Sequence, residues 1–485
     1  MSAFPSISSE NLSPAARARI DASTRGPVLL FFGSALFWLV FGLALETLAA
    51  VQLILPWFLE GISFLTYGRI TQVATTIFAY GFATPAAIGA GIWLASRLCR
   101  VELDHHKLLV SAGIVWNLGL LIGVCGILSG DSTSLPLLCL PGYSTPILLL
   151  SYLLVAIWAL LTFFRRGDSP LFVAEWFLFA GILAFPWLFA AANTLLVWNP
   201  VNAPAQPAIA YWFSSGFVNL WLAPMGVAAA FYIIPKASGQ PIASHQLDLL
   251  GFWTLMLFGS WTAGASLIGG PVPAWIQSAG AAAAVMMLVP AFAIGVNLHL
   301  TLSGHYATVG WSPALRFLAT GIGCLFAYWV LNAINSLPAV NAATHFSDIG
   351  RALTVLAFYG FFAMAASGAI YYIVPRLTGR EWPCHGGVAW HYWLAATGVG
   401  LISIDLLLGG LVQGVALTNP IVELRSALDF VWPFRFMSAV GFILLFLSAA
   451  NFALLFAGIL LDTRKNAAPA YLAGREADST EPVAV

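Results

Sequence analysis

Apolar runs separated by short polar or proline-bearing segments repeat twelve times along this chain. They cover approximately residues 28–52, 71–98, 108–130, 142–164, 171–198, 207–234, 246–269, 273–302, 312–337, 348–374, 388–413 and 433–461. About 20 residues of helix cross the hydrocarbon core of a bilayer. None of the runs alternates with period two, so each reads as a spanning helix rather than a strand. Prolines mark the connections, Pro56, Pro136, Pro200, Pro235, Pro313, Pro375 and Pro433 among them, while Pro186, Pro224 and Pro290 fall inside runs. The expected fold class is all-α, a polytopic membrane protein. A polar, basic N-terminal tail occupies 1–26, a twelve-helix transmembrane domain 27–462, and a polar, alanine-rich tail 463–485. The N-terminal stretch lacks the short apolar core of a cleavable signal and reads as a cytoplasmic tail.

Composition agrees with a bilayer as solvent. Of 485 residues, 60% are hydrophobic and 8% charged, against about 25% charged in a soluble domain. The formal net charge is zero, and no basic face exists for nucleic acid. Of the 19 lysines and arginines, Arg69, Arg351, Arg425 and Arg435 alone fall in segments opposite the termini. That bias places both termini in the cytoplasm and requires an even number of crossings. Five cysteines stand far apart with no CxxC pair, and read as packing residues.

Ionisable groups inside spans are functional candidates because they are costly there. Glu46, Glu175, Asp248 and Asp405 qualify, but their spacing forms no continuous proton path. Asp348 and Arg351 stand three apart, where a helix brings side chains together, and read as a local ion pair and candidate partner-docking site. The eight histidines are placed in loops or at helix ends, His391 included, with His105 and His106 the most tempting metal pair. Adjacent residues on a helix point about 100° apart, so that pair alone chelates poorly.

Several stretches carry a family resemblance. They are "TYGRITQVATTIFAYGF" (66–82), "YWFSSGFVNLWLAPMGVAAAFYIIPK" (211–236), "FWTLMLFGSWTAG" (252–264), "THFSDIG" (344–350), "GAIYYIVPRL" (368–377), "GGLVQG" (409–414) and Asn451. In this order the chain resembles the haem–copper oxidase catalytic subunit I family, in particular its cbb3-type branch, from about residue 30 to 460. The resemblance implies a twelve-helix bundle, haem b and copper as family cofactors, oxygen reduction as family chemistry, and partners such as a membrane-anchored cytochrome c. It also implies a bacterial inner-membrane location.

Aligned on those anchors, the family's haem histidines fall on Ala74, Leu353 and Val355, its copper histidines on Ser215, Ala265 and Ser266, and its tyrosine on Gly259. Iron and copper need imidazole, sulfur or phenolate donors. The expectation is therefore a chain without catalytic or cofactor-binding residues, serving as a scaffold in a respiratory assembly. Phe213, Phe217, Trp221, Trp253, Trp261, Phe358 and Phe361 are the expected fillers of the interior. Two alternatives stay open: a cbb3-type terminal oxidase or nitric oxide reductase subunit with unusual ligation, and a transporter or sensor using the vacated interior.

Overall fold

The computed structural model describes residues 13–133, 135–166 and 171–461. Twelve helical segments follow one another in the order expected. They are α1 (Pro14–Ile54), α2 (Tyr67–Cys99), α3 (His106–Ser129), α4 (Thr145–Phe164), α5 (Val173–Trp198), α6 (Gln206–Ser238), α7 (His245–Gly259), α8 (Ala274–Leu302), α9 (Pro313–Asn335), α10 (Ile349–Thr378), α11 (His385–Thr418) and α12 (Leu424–Leu461). Local chemistry sets many of the ends. Ser244 and Ser312 accept hydrogen bonds from Leu247 and Leu315 N–H at the starts of α7 and α9, and left-handed Gly239 and Gly379 stop α6 and α10, as helix caps do.

Among the described residues, eleven helices are long and apolar enough to cross a membrane. The seventh expected span is the exception. α7 ends after 15 residues and continues as a tighter 3₁₀ stretch, Thr262–Leu267. Gly264 and Gly280 explain the break. Their backbones touch, and a Cβ on Gly280 would lie 2.3 Å from Gly264. Small residues let membrane helices approach this closely.

Three helices form the centre. In the most apolar stretch of α2 and of α6 every residue is buried, and in α10 83%, against 39–56% in the other eight long helices. The hairpin α11–α12 packs against α1 and closes the ring around them. The helix α1 also begins within the expected tail. Ser13 caps it, Pro14 opens it, and Asp21 on the next turns accepts a hydrogen bond from Trp93 Nε1 (2.9 Å). The N-terminal tail is thus helical from residue 14. The C-terminal tail 463–485 lies outside the described residues. Pro235, Pro375 and Pro433 sit inside helices rather than at connections. In a buried bundle, neighbours tolerate the lost hydrogen bond.

The contact between Gly264 and Gly280 can be tested by size. Gly280→Leu is expected to lower stability by about 1–3 kcal/mol through overpacking. Gly323→Leu, whose Cβ meets nothing within 4 Å, should leave it nearly unchanged. Equal thermal unfolding of both variants in detergent would contradict the close approach.

Candidate functional site

The three central helices share a departure from regular α-geometry. Each switches to π-helix midway: Ile77–Ala83 in α2, Phe217–Leu222 in α6 and Leu356–Ala363 in α10. Single π-turns concentrate at functional sites. They also leave backbone carbonyls in need of donors. In α2, Trp116 Nε1 donates to the Tyr80 carbonyl (2.7 Å) and Thr84 Oγ1 to that of Ala79 (2.8 Å).

Aromatic rings meet where the π-segments converge. Phe78 stacks on Phe358 with centroids 4.5 Å apart and an interplanar angle of 7°, and Tyr359 stands edge-on to Phe78 at 4.6 Å. Phe217 reaches Phe358 at 6.3 Å and Trp221 at 4.8 Å. Phe362 lies against Phe82 and Trp221 at 6.4 and 6.3 Å. Offset and edge-on pairs of this kind are attractive beyond their burial. Of the expected fillers, Phe213, Phe217, Trp221, Phe358 and Phe361 are buried, whereas Trp253 and Trp261 are more than half exposed on the lipid-facing side. Phe78, Phe82 and Phe362 are fillers that the sequence reading missed. Phenylalanines within each π-segment were visible in the sequence, but their register was not.

A polar cluster sits beside this aromatic centre. Ser215 in α6 bonds the Thr262 hydroxyl and donates to the Gly259 carbonyl at 3.4 Å. Asn219, one turn on, donates to Thr262 Oγ1 (3.1 Å) and accepts from Trp329 Nε1 of α9 (3.0 Å). The structure therefore brings together α6 and the end of α7, which carry the positions assigned to copper and to the tyrosine. Ala265 is buried and Ser266 partly buried in the adjoining 3₁₀ stretch. Ala74 is fully buried one turn before Phe78. Leu353 and Val355 are buried just before the α10 π-segment. Asn219 and Trp329 carried no signal in the sequence beyond being polar or aromatic within spans.

Histidine placement differs from expectation at one residue. His391 is not interfacial. It is 3% exposed, stacks on Phe452 at 4.2 Å and pairs through Nδ1 with Tyr371 Oη (2.8 Å). Two turns of α11 precede it, and α9, α10 and α12 surround it. His105 and His106 are exposed at the start of α3. Among the described residues, no three histidine, cysteine, aspartate or glutamate side chains gather as a metal site. Cys125 and Cys384 are exposed rather than packed, and Cys384 caps α11 by accepting from Gly387 N–H.

The charged residues pair across helices. Asp348 and Arg351 do not form the expected local pair. Arg351 bonds Glu46 of α1 (2.8 Å) and lies over the Phe442 ring, while Asp348 bonds Arg435 of α12 (3.1 Å). Arg351 and Asp348 side chains keep only 22% and 19% exposure. The reason is rotation: α10 turns the two residues toward different neighbours. Glu175 caps α5 through the Phe172 N–H (2.9 Å), and Asp248 is buried against Asn297. Asp405 Oδ2 is enclosed without a hydrogen-bond partner.

Two measurements probe these contacts. Asn219→Leu strands the Trp329 indole N–H, and should cost about 1–3 kcal/mol in detergent unfolding; an unchanged midpoint would remove the cluster from the stability of the core. A double-variant cycle with Glu46→Gln and Arg351→Gln should give a coupling of about 0.5–3 kcal/mol, each single variant being less stable than the double. Strict additivity would mean that the pair contributes nothing.

Comparison with known proteins follows the same lines. Residues 26–456 match the family described as cytochrome c and quinol oxidase polypeptide I. The chain is 25% identical over 386 residues to the cbb3-type cytochrome c oxidase subunit CcoN1 of Stutzerimonas stutzeri, covering 78% of this chain and 81% of that one. It is 24% identical over 438 residues to a cytochrome c oxidase subunit 1 homolog of Agrobacterium tumefaciens, covering 85% and 79%. A haem–copper terminal oxidase dimer solved by cryo-electron microscopy shares the fold, with a TM-score of 0.74 at 16% identity, over 94% of this chain and 86% of that one. All-helical architecture, motif order and the match over most of its length together mean that this chain belongs to the cytochrome c and quinol oxidase polypeptide I family, close to the cbb3-type subunits.

Proposed function

We propose that this subunit I-type membrane protein carries neither haem nor copper and serves as a structural subunit of a respiratory electron-transfer assembly. The stack of Phe78 on Phe358 at 4.5 Å carries the reading. It joins two of the three central helices ring to ring, in the part of the bundle that the resemblance assigns to the cofactors.

The donor chemistry points the same way. Ala74, Leu353, Val355 and Ala265 offer hydrocarbon, and the Ser215 hydroxyl is engaged by Thr262 and Gly259. Neutral hydroxyls and alkyl groups are poor partners for iron or copper. These residues do not fit haem b or copper, so no oxygen-reducing step is assigned to the chain, and it has no catalytic residues of its own in this reading.

A subunit of this kind would retain the outer shell of the fold as a surface for other respiratory subunits, a membrane-anchored cytochrome c among them. The face opposite the termini, around Asp348 and Arg351, is the docking edge that this reading favours. The bacterial sources of the relatives support an inner-membrane location, and the lysine and arginine bias supports cytoplasmic termini.

An optical spectrum and metal assay of the protein purified in detergent test the proposal. The expected result is no Soret band and iron and copper far below one per chain, with cytochrome-bearing subunits recovered alongside in mild detergent. Stoichiometric haem in the chain itself would overturn the cofactor-free reading. Recovery of the chain without any respiratory subunit would overturn the assembly role.

A further inference from the structure

A groove of about 260 Å³ runs between α9 and α11, over the π-segment of α10. Its α9 wall extends from Thr320 to Leu331, a distance of about 16 Å at about 1.5 Å per residue. That is close to half the roughly 30 Å hydrocarbon core of a bilayer. The groove therefore has the length of a single leaflet. It is also narrow: a volume of this size drawn out over that length is a slot, far thinner than the roughly 10–12 Å of a helix with its side chains. A partner helix does not enter it.

The walls are hydrocarbon in character. Their few polar groups are already engaged or turned inward. Thr320 Oγ1 bonds the Arg316 carbonyl (3.0 Å) and Tyr392 Oη (2.9 Å), and the Ser403 hydroxyl is enclosed away from the surface. Nothing along the slot is arranged to receive a polar ring. The α11 wall is kept open by Gly400, where an added Cβ would meet nothing within 4 Å. Ile404 stands exposed at the rim, so the slot is entered sideways from the lipid.

One end of the slot is different. A turn before Thr320, the Arg316 guanidinium lies over the Tyr392 ring at 5.2 Å, where it also donates to the Gly310 carbonyl. Trp393 and Trp311 are exposed at the same end, 61% and 88%. Tryptophan and arginine mark the level of lipid headgroups. This end lies on the side of the bundle where α1 begins, because α9 and α11 begin there too.

We infer that the groove between α9 and α11 binds one acyl chain of a bilayer phospholipid, whose phosphate is held at Arg316. The chain lies along α9 from Thr320 toward Leu331, and the cation and indoles fix the headgroup at the interface. The site is independent of whether the bundle centre holds a cofactor.

Lipid stoichiometry in the intact protein tests the assignment. The protein is purified in mild detergent, washed extensively, and analysed by native mass spectrometry with lipid extraction. Wild type is expected to retain one phospholipid more per chain than Gly400→Phe, whose ring fills the slot. Arg316→Gln should retain several-fold less than wild type. Gly323→Phe, at an equally open lipid-facing glycine of α9 outside the slot, should retain as much. As a readout that needs no variant, a phospholipid with a photoreactive diazirine in its acyl chain should label the wild-type segments 320–331 and 396–407. Equal phospholipid retention by wild type and Gly400→Phe, labelling spread evenly over the outer helices, or a retained polyprenyl quinone in place of phospholipid would each overturn the inference.

Discussion

Three helices enclosed by nine others must be met by protein on nearly every side, because lipid reaches them only at the groove over α10. This constraint governs the bundle. α2, α6 and α10 have no lipid-facing side along much of their length, and each carries a π-segment whose carbonyls need a donor. Hydrocarbon supplies none. The indole of Trp116 and the hydroxyl of Thr84 supply them in α2, and the rings of Phe78, Phe217, Trp221, Phe358 and Phe362 occupy the space between. Voids in a core are costly, at roughly 24 cal/mol per Å³, so aromatic volume at this point is a requirement of folding as much as of function.

Polar contacts then fix how the outer helices are rotated around that centre. The Ser215–Asn219–Thr262–Trp329 cluster ties α6, the end of α7 and α9. The pairs Glu46–Arg351 and Asp348–Arg435 tie α1, α10 and α12 near one rim. Asn451 of α12 donates to the Gly387 carbonyl of α11 at the other end (2.7 Å). Side chains that are individually expensive in a membrane are thereby placed where they determine helix orientation.

Much of this architecture was legible in the chain. Length and apolarity located the twelve segments, and the family's ligand positions fell on α2, α6, α7 and α10, of which α2, α6 and α10 turned out to be central. Rotation was not legible. In a soluble protein, hydrophobicity separates inside from outside, but lipid is as apolar as leucine. Trp253 and Trp261 consequently read like Trp221, though only the last is buried. Glu46 and Arg351 are 305 residues apart, and no local spacing rule connects them; the i, i+3 rule instead favoured Asp348. His391 read as interfacial because α11 was expected to start later than His385, where it begins. The break after Gly259 was hidden for a related reason: a tight backbone crossing leaves only two glycines as its trace.

The π-segment of α2 also acts as a rotary joint. It adds one residue to the local winding while the helix on either side stays regular. Removing one residue between Ile77 and Ala83 would restore plain α-winding and leave the rest of the helix nearly where it is, whereas forcing plain α-winding on the segment at its present length would swing everything beyond it by about 100°. Trp93 would turn away from Asp21, to which it now donates, and the N-terminal turns of α1 would lose their mooring. The winding of that seven-residue segment is therefore matched to its length, and homologous chains that keep this docking of α1 should either keep both or lose one residue together with the π-geometry.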